Sequence, residues 1–194
     1  MKKTLDFLGQ HHDRYEEELI DILKIPSISS NPDNIADMRD MAELLKKEMR
    51  SIGMDEVTIF ETDGHPVVYS EWLGAVGAPT LLIYGHYDVQ PVDPVDLWSS
   101  PPFEPVIKDR KIFARGSADD KGQIYIHLKA IEAWLATKGT LPVNVKLLFE
   151  GEEEVGSAHL EDFIREHEEM LAADYVVISD TPMFREGYPG ITYG

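Results

Sequence analysis

The second half of the chain alternates short apolar runs with amphipathic stretches, and this order limits the possible folds more than any other feature. Residues 81–85, 143–149 and 175–179 are β-branched or apolar runs that are typical of strands. Between them, apolar residues recur at helical spacing after Asp119 and again near residues 158–167. This alternation predicts an α/β fold, with a mostly parallel sheet that is covered by helices on both faces.

The first half adds helices and further strands to this pattern. We expect helices over residues 5–23 and 35–52, strands over residues 57–60, 66–72 and 111–114, and a proline-rich connection over residues 91–105. A chain of 194 residues is long enough for one good-sized core, so we expect a single domain.

Charge and composition exclude several classes of function. The chain carries 36 acidic and 18 basic side chains, a net charge of −18, which makes nucleic acid and anionic membranes improbable partners. It has no cysteine, so any metal must be held by His, Asp and Glu. The sequence has neither an apolar targeting segment at its start nor 18 consecutive apolar residues, which favours a cytoplasmic location.

Polar side chains follow four of the expected strands at the point where each strand ends. His86, Asp119, Glu154 and Asp180 each come after a different strand, so we expect them to meet at one end of the sheet. A single aspartate at a strand end is more often a turn or helix-cap residue. Four such positions together predict a site for a divalent cation with oxygen and imidazole ligands.

Two of these positions have neighbours that extend the chemistry. Asp88 is two residues from His86 on extended backbone, so it can accept a hydrogen bond from the other nitrogen of a ligating imidazole. Glu152, Glu153 and Glu154 would repel one another unless a cation or a shared proton offset the charge. One of them can then be a ligand and its neighbour a general base. The alternative for the three glutamates is an acidic turn before a helix. The six histidines other than His86 are expected to be surface or core residues.

At these residues the chain resembles the carnosinase-type, or cytosolic non-specific dipeptidase, family of metallopeptidases, within the superfamily that includes aminoacylases and carboxypeptidase G. The resemblance is carried by five segments in the order and spacing of the family: GHYDVQP (85–91), LWSSPPFEP (97–105), RGSADDKG (115–122), EEVGS (153–157) and SD (179–180). It covers essentially the whole chain and implies a catalytic domain of the zinc-peptidase type.

The resemblance implies a role for each site residue. His86 and Asp180 would ligate one metal, Glu154 would ligate a second, and Asp119 would bridge the two. Asp88 would orient His86, and Glu153 would be the general base, with Glu152 outside the pair. The implied reaction is hydrolysis of a dipeptide or short peptide by a metal-bridging hydroxide, with zinc as the expected metal and manganese or cobalt as alternatives. A cis peptide between Asp119 and Asp120 is also implied.

The resemblance further implies that residues 1–194 are the N-terminal portion of a catalytic domain. Family members are about twice as long, and they continue into a lid and dimerisation domain and a C-terminal catalytic segment that supplies another metal-ligating histidine. We therefore expect a fragment of a homodimeric parent that is inactive or nearly so and that can self-associate through uncovered surface. Two other functions stay open: a related zinc aminopeptidase or amidohydrolase, and a non-catalytic metal-binding domain.

Overall fold

A computed structural model describes residues 1–185, 187–188 and 190–193. Its α-helices are α1 (Lys2–Gln10), α2 (His12–Leu23), α3 (Ile35–Ser51), α4 (Lys121–Lys138), α5 (Leu160–Glu166) and α6 (Glu168–Leu171). Its strands are β1 (Asp55–Phe60), β2 (Val67–Trp72), β3 (Thr80–His86), β4 (Val106–Lys108), β5 (Lys111–Phe113), β6 (Asn144–Glu150) and β7 (Tyr175–Ile178). Within the described residues, no helix is both long and apolar enough to cross a bilayer.

Five strands form one mixed sheet in the order β1-β2-β6-β3-β7. β3 pairs in parallel with both β6 and β7, whereas β2 is antiparallel to both β1 and β6. Only β2 is therefore reversed, and the carboxyl ends of β3, β6 and β7 lie at the same end of the sheet. The α/β class that the sequence predicts is confirmed.

Two strands, β4 and β5, lie outside this sheet. β5, which the sequence places in the same layer as the others, pairs only with β4 in a separate two-stranded sheet. The expectation that Asp119 follows a strand of the main sheet is therefore wrong. Asp119 is placed by the loop that joins this hairpin to α4, and its close approach to β3 comes from the packing of α4.

Two apolar clusters cover the two faces of the sheet. The larger contains α3 and α4 side chains such as Met41, Leu45 and Leu128, packed with Leu147 and Phe149 of β6. The smaller cluster lies between the sheet and the α5–α6 segment, through residues such as Phe163 and Leu171. Helices on both faces are thus confirmed, and the alternating strand side chains of β6 contribute to both clusters.

The outer side of the sheet beyond β7 carries exposed apolar side chains. Tyr175, Val176 and Ile178 on this strand are all more than half exposed, and so are Phe184 and Ile191 further along the chain. Association between copies of the chain at this surface stays a prediction.

A buried lysine joins three helices on the larger face. The Lys129 ammonium of α4 pairs with Glu18 of α2 at 2.6 Å, with Glu48 of α3, and with Glu132 at 3.1 Å. Arg14 pairs with the same Glu18 and with Glu132. These three carboxylates lie close enough to hold a metal ion, but two cationic side chains already neutralise them. The cluster is therefore explained as an ion-pair network that stabilises the packing of these helices.

We expect Lys129→Met to lower the free energy of unfolding by about 3 kcal/mol, because it leaves part-buried carboxylates without their main cation. The matched control is Lys138→Met at the exposed end of the same helix, for which we expect a change within about 0.5 kcal/mol. Urea unfolding followed by circular dichroism measures both. Equal midpoints for the two variants would show that the network does not stabilise the fold.

Candidate metal centre

His86 is the last residue of β3 and its side chain is fully buried. Its backbone N–H donates to a carboxylate oxygen of Asp120 at 3.0 Å, directly before α4. The residue before it must be small, because a Cβ at Gly85 would lie 2.3 Å from Ile124 and 2.6 Å from the Asp120 carboxylate. The glycine thus lets the start of α4 reach the end of the central strand.

One side of the His86 ring is occupied by Asp88. The ring Nδ1 lies 3.1 Å from the Asp88 carbonyl oxygen and 3.3 Å from its carboxylate Oδ1. The same carboxylate accepts hydrogen bonds from the backbone N–H groups of Glu153 and Glu154, at 3.3 and 3.1 Å. Asp88 therefore contacts both the imidazole and the acidic segment after β6, while its role in orienting His86 stays a prediction.

The other side of the ring faces carboxylates. The Nε2 atom is buried and makes no hydrogen bond with the described residues. It lies 3.1 Å from Asp119 Oδ1, 3.7 Å from Asp180 Oδ2 and 4.0 Å from Glu153 Oε2. His86 with Asp119 and Asp180, and His86 with Glu153 and Glu154, form two sets whose ligand atoms lie within 4.8 Å of one another. The predicted residues are thus brought together, while their roles as ligands stay predictions.

The three consecutive glutamates take different positions. Glu152 is nearly buried and turns away to pair with His159 at 2.8 Å. Glu153 and Glu154 face His86, and the Glu154 carboxylate accepts a hydrogen bond from the Gln90 side chain at 2.5 Å. The pair chosen from the resemblance is therefore the pair that lies at the site, with Glu152 outside it.

Several polar contacts around the site were not expected from the sequence. Gln90 contacts Glu154, His127 of α4 contacts Ser179 beside Asp180, and the buried Glu150 accepts hydrogen bonds from Tyr84 and Ser157. Gln90 and Ser157 lie inside the segments that carry the resemblance, which was the available signal. His127 had no local signal, because its contact joins positions 52 residues apart.

The segment that follows α2 makes hydrogen bonds to residues next to the site. Lys121, fully buried at the start of α4, donates to the Ile25 carbonyl at 2.6 Å, just beyond the end of α2. Burial lowers the pKa of this ammonium to about 7. The buried Ser27 hydroxyl donates to the Tyr87 carbonyl at 2.7 Å, between His86 and Asp88. The segment after α2 is therefore hydrogen-bonded to the first residue of α4, close to Asp119, and to the backbone between His86 and Asp88.

The Asp119–Asp120 peptide bond is cis, which confirms the expectation from the resemblance. The sequence profile of Peptidase family M20/M25/M40 matches residues 82–193, more than half of the chain and all of the site residues. The chain belongs to this family. The metallopeptidase family that the sequence motifs indicated is thereby confirmed.

Relatives of the M20 chain include peptidases that are named for different activities. It is 35% identical over 210 residues to the Cys-Gly metallodipeptidase dug1 of Schizosaccharomyces pombe, covering all of this chain and 44% of the relative. The structure of an M20 family metallo-carboxypeptidase, Sso-CP2 from Sulfolobus solfataricus, has 44% identity and a TM-score of 0.79, over 87% of this chain and 38% of that one.

Human carnosine dipeptidase 1 is a third similar protein, and its structure is known. It superposes with a TM-score of 0.86 at 28% identity, over 93% of this chain and 41% of that one. The M20 chain therefore spans about two fifths of the length of the relatives it matches.

The donor atoms at the M20 site fit a divalent cation. A buried imidazole nitrogen, which has no hydrogen-bond partner among the described residues, faces a group of carboxylate oxygens, and this is the mixture that zinc and related metals bind. Burial disfavours the charged imidazole, but the hydrogen bond to Asp88 and the charges of Asp88, Asp120 and Glu153 outweigh it and raise the pKa of His86 to about 10. Without a cation, the ring is therefore protonated at neutral pH.

We expect metal binding to release about one proton at pH 7, because a cation binds the neutral imidazole and must displace the proton of His86. The dissociation constant for Zn²⁺ should accordingly fall about tenfold for each unit that the pH rises between about 6 and 8. Isothermal titration calorimetry in two buffers of different ionisation enthalpy measures the released protons. Binding heats that do not depend on the buffer would show that the metal does not displace a proton from His86.

Proposed function

We propose that the site is the centre of a two-metal peptide hydrolase. His86, Asp119 and Asp180 would hold one divalent cation, and Asp119 and Glu154 would hold the second. The observation that carries the proposal is the buried His86 Nε2, which lies within 4.0 Å of the carboxylates of Asp119, Asp180 and Glu153 and makes no hydrogen bond among the described residues. A buried polar atom of this kind is rare unless a ligand satisfies it.

Glu153 is the residue that would handle the proton. Bound divalent ions supply Lewis acidity, which polarises a peptide carbonyl and makes a water molecule more acidic. The Glu153 side chain is 36% exposed, so a substrate can reach it, while its backbone N–H is held by Asp88. The Glu153 carboxylate would accept the proton of the attacking water and deliver it to the leaving amine.

The types of donor atom at the site limit the identity of the metal to a few ions. Thiolate is excluded because the chain has no cysteine, and one imidazole with several carboxylates suits zinc, manganese or cobalt. We propose zinc in both positions, with manganese and cobalt as active substitutes. The alternative of a non-catalytic metal-binding domain keeps the same ligands and lacks turnover.

The substrate class is proposed from the names of the relatives. The similarity to a Cys-Gly metallodipeptidase over the whole of this chain supports a dipeptide substrate. The 44% identity to a metallo-carboxypeptidase favours a second candidate, removal of a C-terminal residue from a longer or blocked peptide. Hydrolysis of an unblocked dipeptide, compared with the same dipeptide blocked at its amine, separates them, since a dipeptidase that binds the free amine would reject the blocked form.

We expect these 194 residues, tested by themselves, to hydrolyse dipeptides at least about 10²-fold more slowly than a longer polypeptide that contains them and is active. The second cation would have only Asp119 and Glu154 as ligands, fewer than the three protein ligands usual for catalytic zinc. The resemblance also implies that groups which stabilise the developing oxyanion lie in the lid domain, outside residues 1–194, and one such donor is typically worth about 10²–10³ in rate.

The measurement is hydrolysis of a dipeptide panel by both polypeptides after loading with Zn²⁺, Mn²⁺ or Co²⁺. Turnover by the 194-residue chain within about tenfold of the longer polypeptide would show that the residues assigned to the site are incomplete. No turnover by an otherwise folded and metal-loaded longer polypeptide would instead favour the non-catalytic alternative.

A further inference from the structure

The segment that carries Asp180 leaves the sheet from an edge strand. β7 pairs with β3 on one side only, and Tyr175 and Val176 are 62% and 61% exposed. A strand with one neighbour and few buried side chains has low local stability, so the residues that follow it need other contacts to hold a fixed position. Asp180 nevertheless lies 3.7 Å from His86 Nε2.

A side-chain hydrogen bond joins the end of β7 to helix α4. The Ser179 hydroxyl lies 2.5 Å from His127 Nε2, and Ser179 is the residue directly before Asp180. Either group can donate, depending on the tautomer of the ring. His127 is partly buried, and its pKa is lowered by burial. His127 is thus partly enclosed where it meets Ser179.

Helix α4 connects the segment of Asp119 to the segment of Asp180. It begins at Lys121, directly after Asp119 and Asp120, and its inner face is buried through Ile124, Leu128 and Ile131. Asp119 therefore lies two residues before the helix that carries His127. Through the hydrogen bond to Ser179, α4 can fix the relative positions of Asp119 and Asp180.

We propose that His127 and Ser179 are positioning residues, which hold Asp180 at a ligating distance from His86. The inference rests on the proposed metal centre. Neither residue contacts the cation: Ser179 acts through the backbone of Asp180, and His127 acts through Ser179. Residues that orient metal ligands in this way typically contribute about 10–100-fold to metal affinity.

The test is a titration of the 194-residue chain with CoCl₂, followed by the visible absorption of Co²⁺ and by displacement with Zn²⁺. The variants are Ser179→Ala, His127→Leu and the double variant. His127→Gln is the conservative variant, because the Gln amide can reach the place of Nε2 and still hydrogen-bond. His12→Leu, an exposed histidine on α2, is the control for loss of a histidine elsewhere.

We expect Ser179→Ala and His127→Leu each to weaken Co²⁺ binding about 10–100-fold and to change the absorption band, since a displaced Asp180 alters the coordination geometry. The double variant should bind about as weakly as the weaker single variant, because both changes remove the same hydrogen bond. His127→Gln should recover most of the affinity, and His12→Leu should match the unmodified chain. Circular dichroism of the metal-free variants shows that each is folded.

Unchanged affinity and spectrum in Ser179→Ala and His127→Leu, with tight binding by the unmodified chain, would overturn the inference and leave the metal centre standing. Fully additive losses, or no recovery in His127→Gln, would also overturn it, since the two residues would then not act through one bond. Failure of the unmodified chain to bind Co²⁺ would contradict the metal centre itself, and the inference with it.

Discussion

Glu153→Gln is expected to lower peptide hydrolysis by about 10²–10⁴ in a longer, active polypeptide that contains these residues, while its metal content stays nearly unchanged. The amide has almost the same shape as the carboxylate but cannot accept the proton of the attacking water. Glu153 lies further from His86 Nε2 than Asp119 does, at 4.0 Å against 3.1 Å, which suits a base beside the cation better than a principal ligand.

The matched control is Glu152→Gln, at the neighbouring glutamate that pairs with His159 and turns away from the site. This variant should retain turnover within about tenfold, because it weakens one ion pair and touches no reacting group. Steady-state rates and metal analysis by mass spectrometry are measured on the same preparations. Loss of both metal and activity in Glu153→Gln would make Glu153 a ligand and not a base.

His86→Ala is expected to weaken Zn²⁺ binding by about 10²–10³. Structural zinc sites with four ligands bind with about 10–16 kcal/mol, so that each ligand contributes about 2.5–4 kcal/mol, and each 1.4 kcal/mol is a factor of ten. His86 is the one imidazole in both sets of ligand atoms at this site. In the proposed centre His86 is the imidazole ligand of the first cation, so its loss leaves that cation with only the carboxylates of Asp119 and Asp180.

His65→Ala is a suitable control, because His65 hydrogen-bonds to the Ser29 carbonyl and lies outside both sets of ligand atoms. Zn²⁺ affinity is measured by competition with a chromophoric chelator at constant pH. Equal affinities for His86→Ala and His65→Ala would show that zinc binds elsewhere on this acidic surface.

The sequence predicted the layers of the fold because β3, β6 and β7 are apolar runs with amphipathic helices between them. It also predicted which polar residues meet, since parallel strands bring His86, Glu154 and Asp180 to one end of the sheet. The prediction from the sequence was wrong for β5, which was expected in the main sheet. A three-residue strand has the same local pattern whether it joins the main sheet or a separate hairpin, and only packing decides between them.

Other features of the site depend on contacts between distant positions. The resemblance separated Glu152 from its two neighbours, but local charge did not, because the three glutamates differ only in their partners. The contacts of Gln90 with Glu154 and of His127 with Ser179 join segments 64 and 52 residues apart. The periodicity of the sequence does not predict such pairs, because they form only when the strands and α4 pack together.

The central claim is that His86, Asp119, Asp180 and Glu154 hold divalent cations, and anomalous X-ray diffraction at the zinc absorption edge from crystals grown with Zn²⁺ tests it most directly. We predict a peak about 2.0–2.2 Å from His86 Nε2 and from carboxylate oxygens of Asp119 and Asp180. A weaker second peak is expected between Asp119 and Glu154. Peaks found only elsewhere, for example beside Glu18, Glu48 and Glu132, or an Nε2 that is hydrogen-bonded to water with no peak beside it, would contradict the claim.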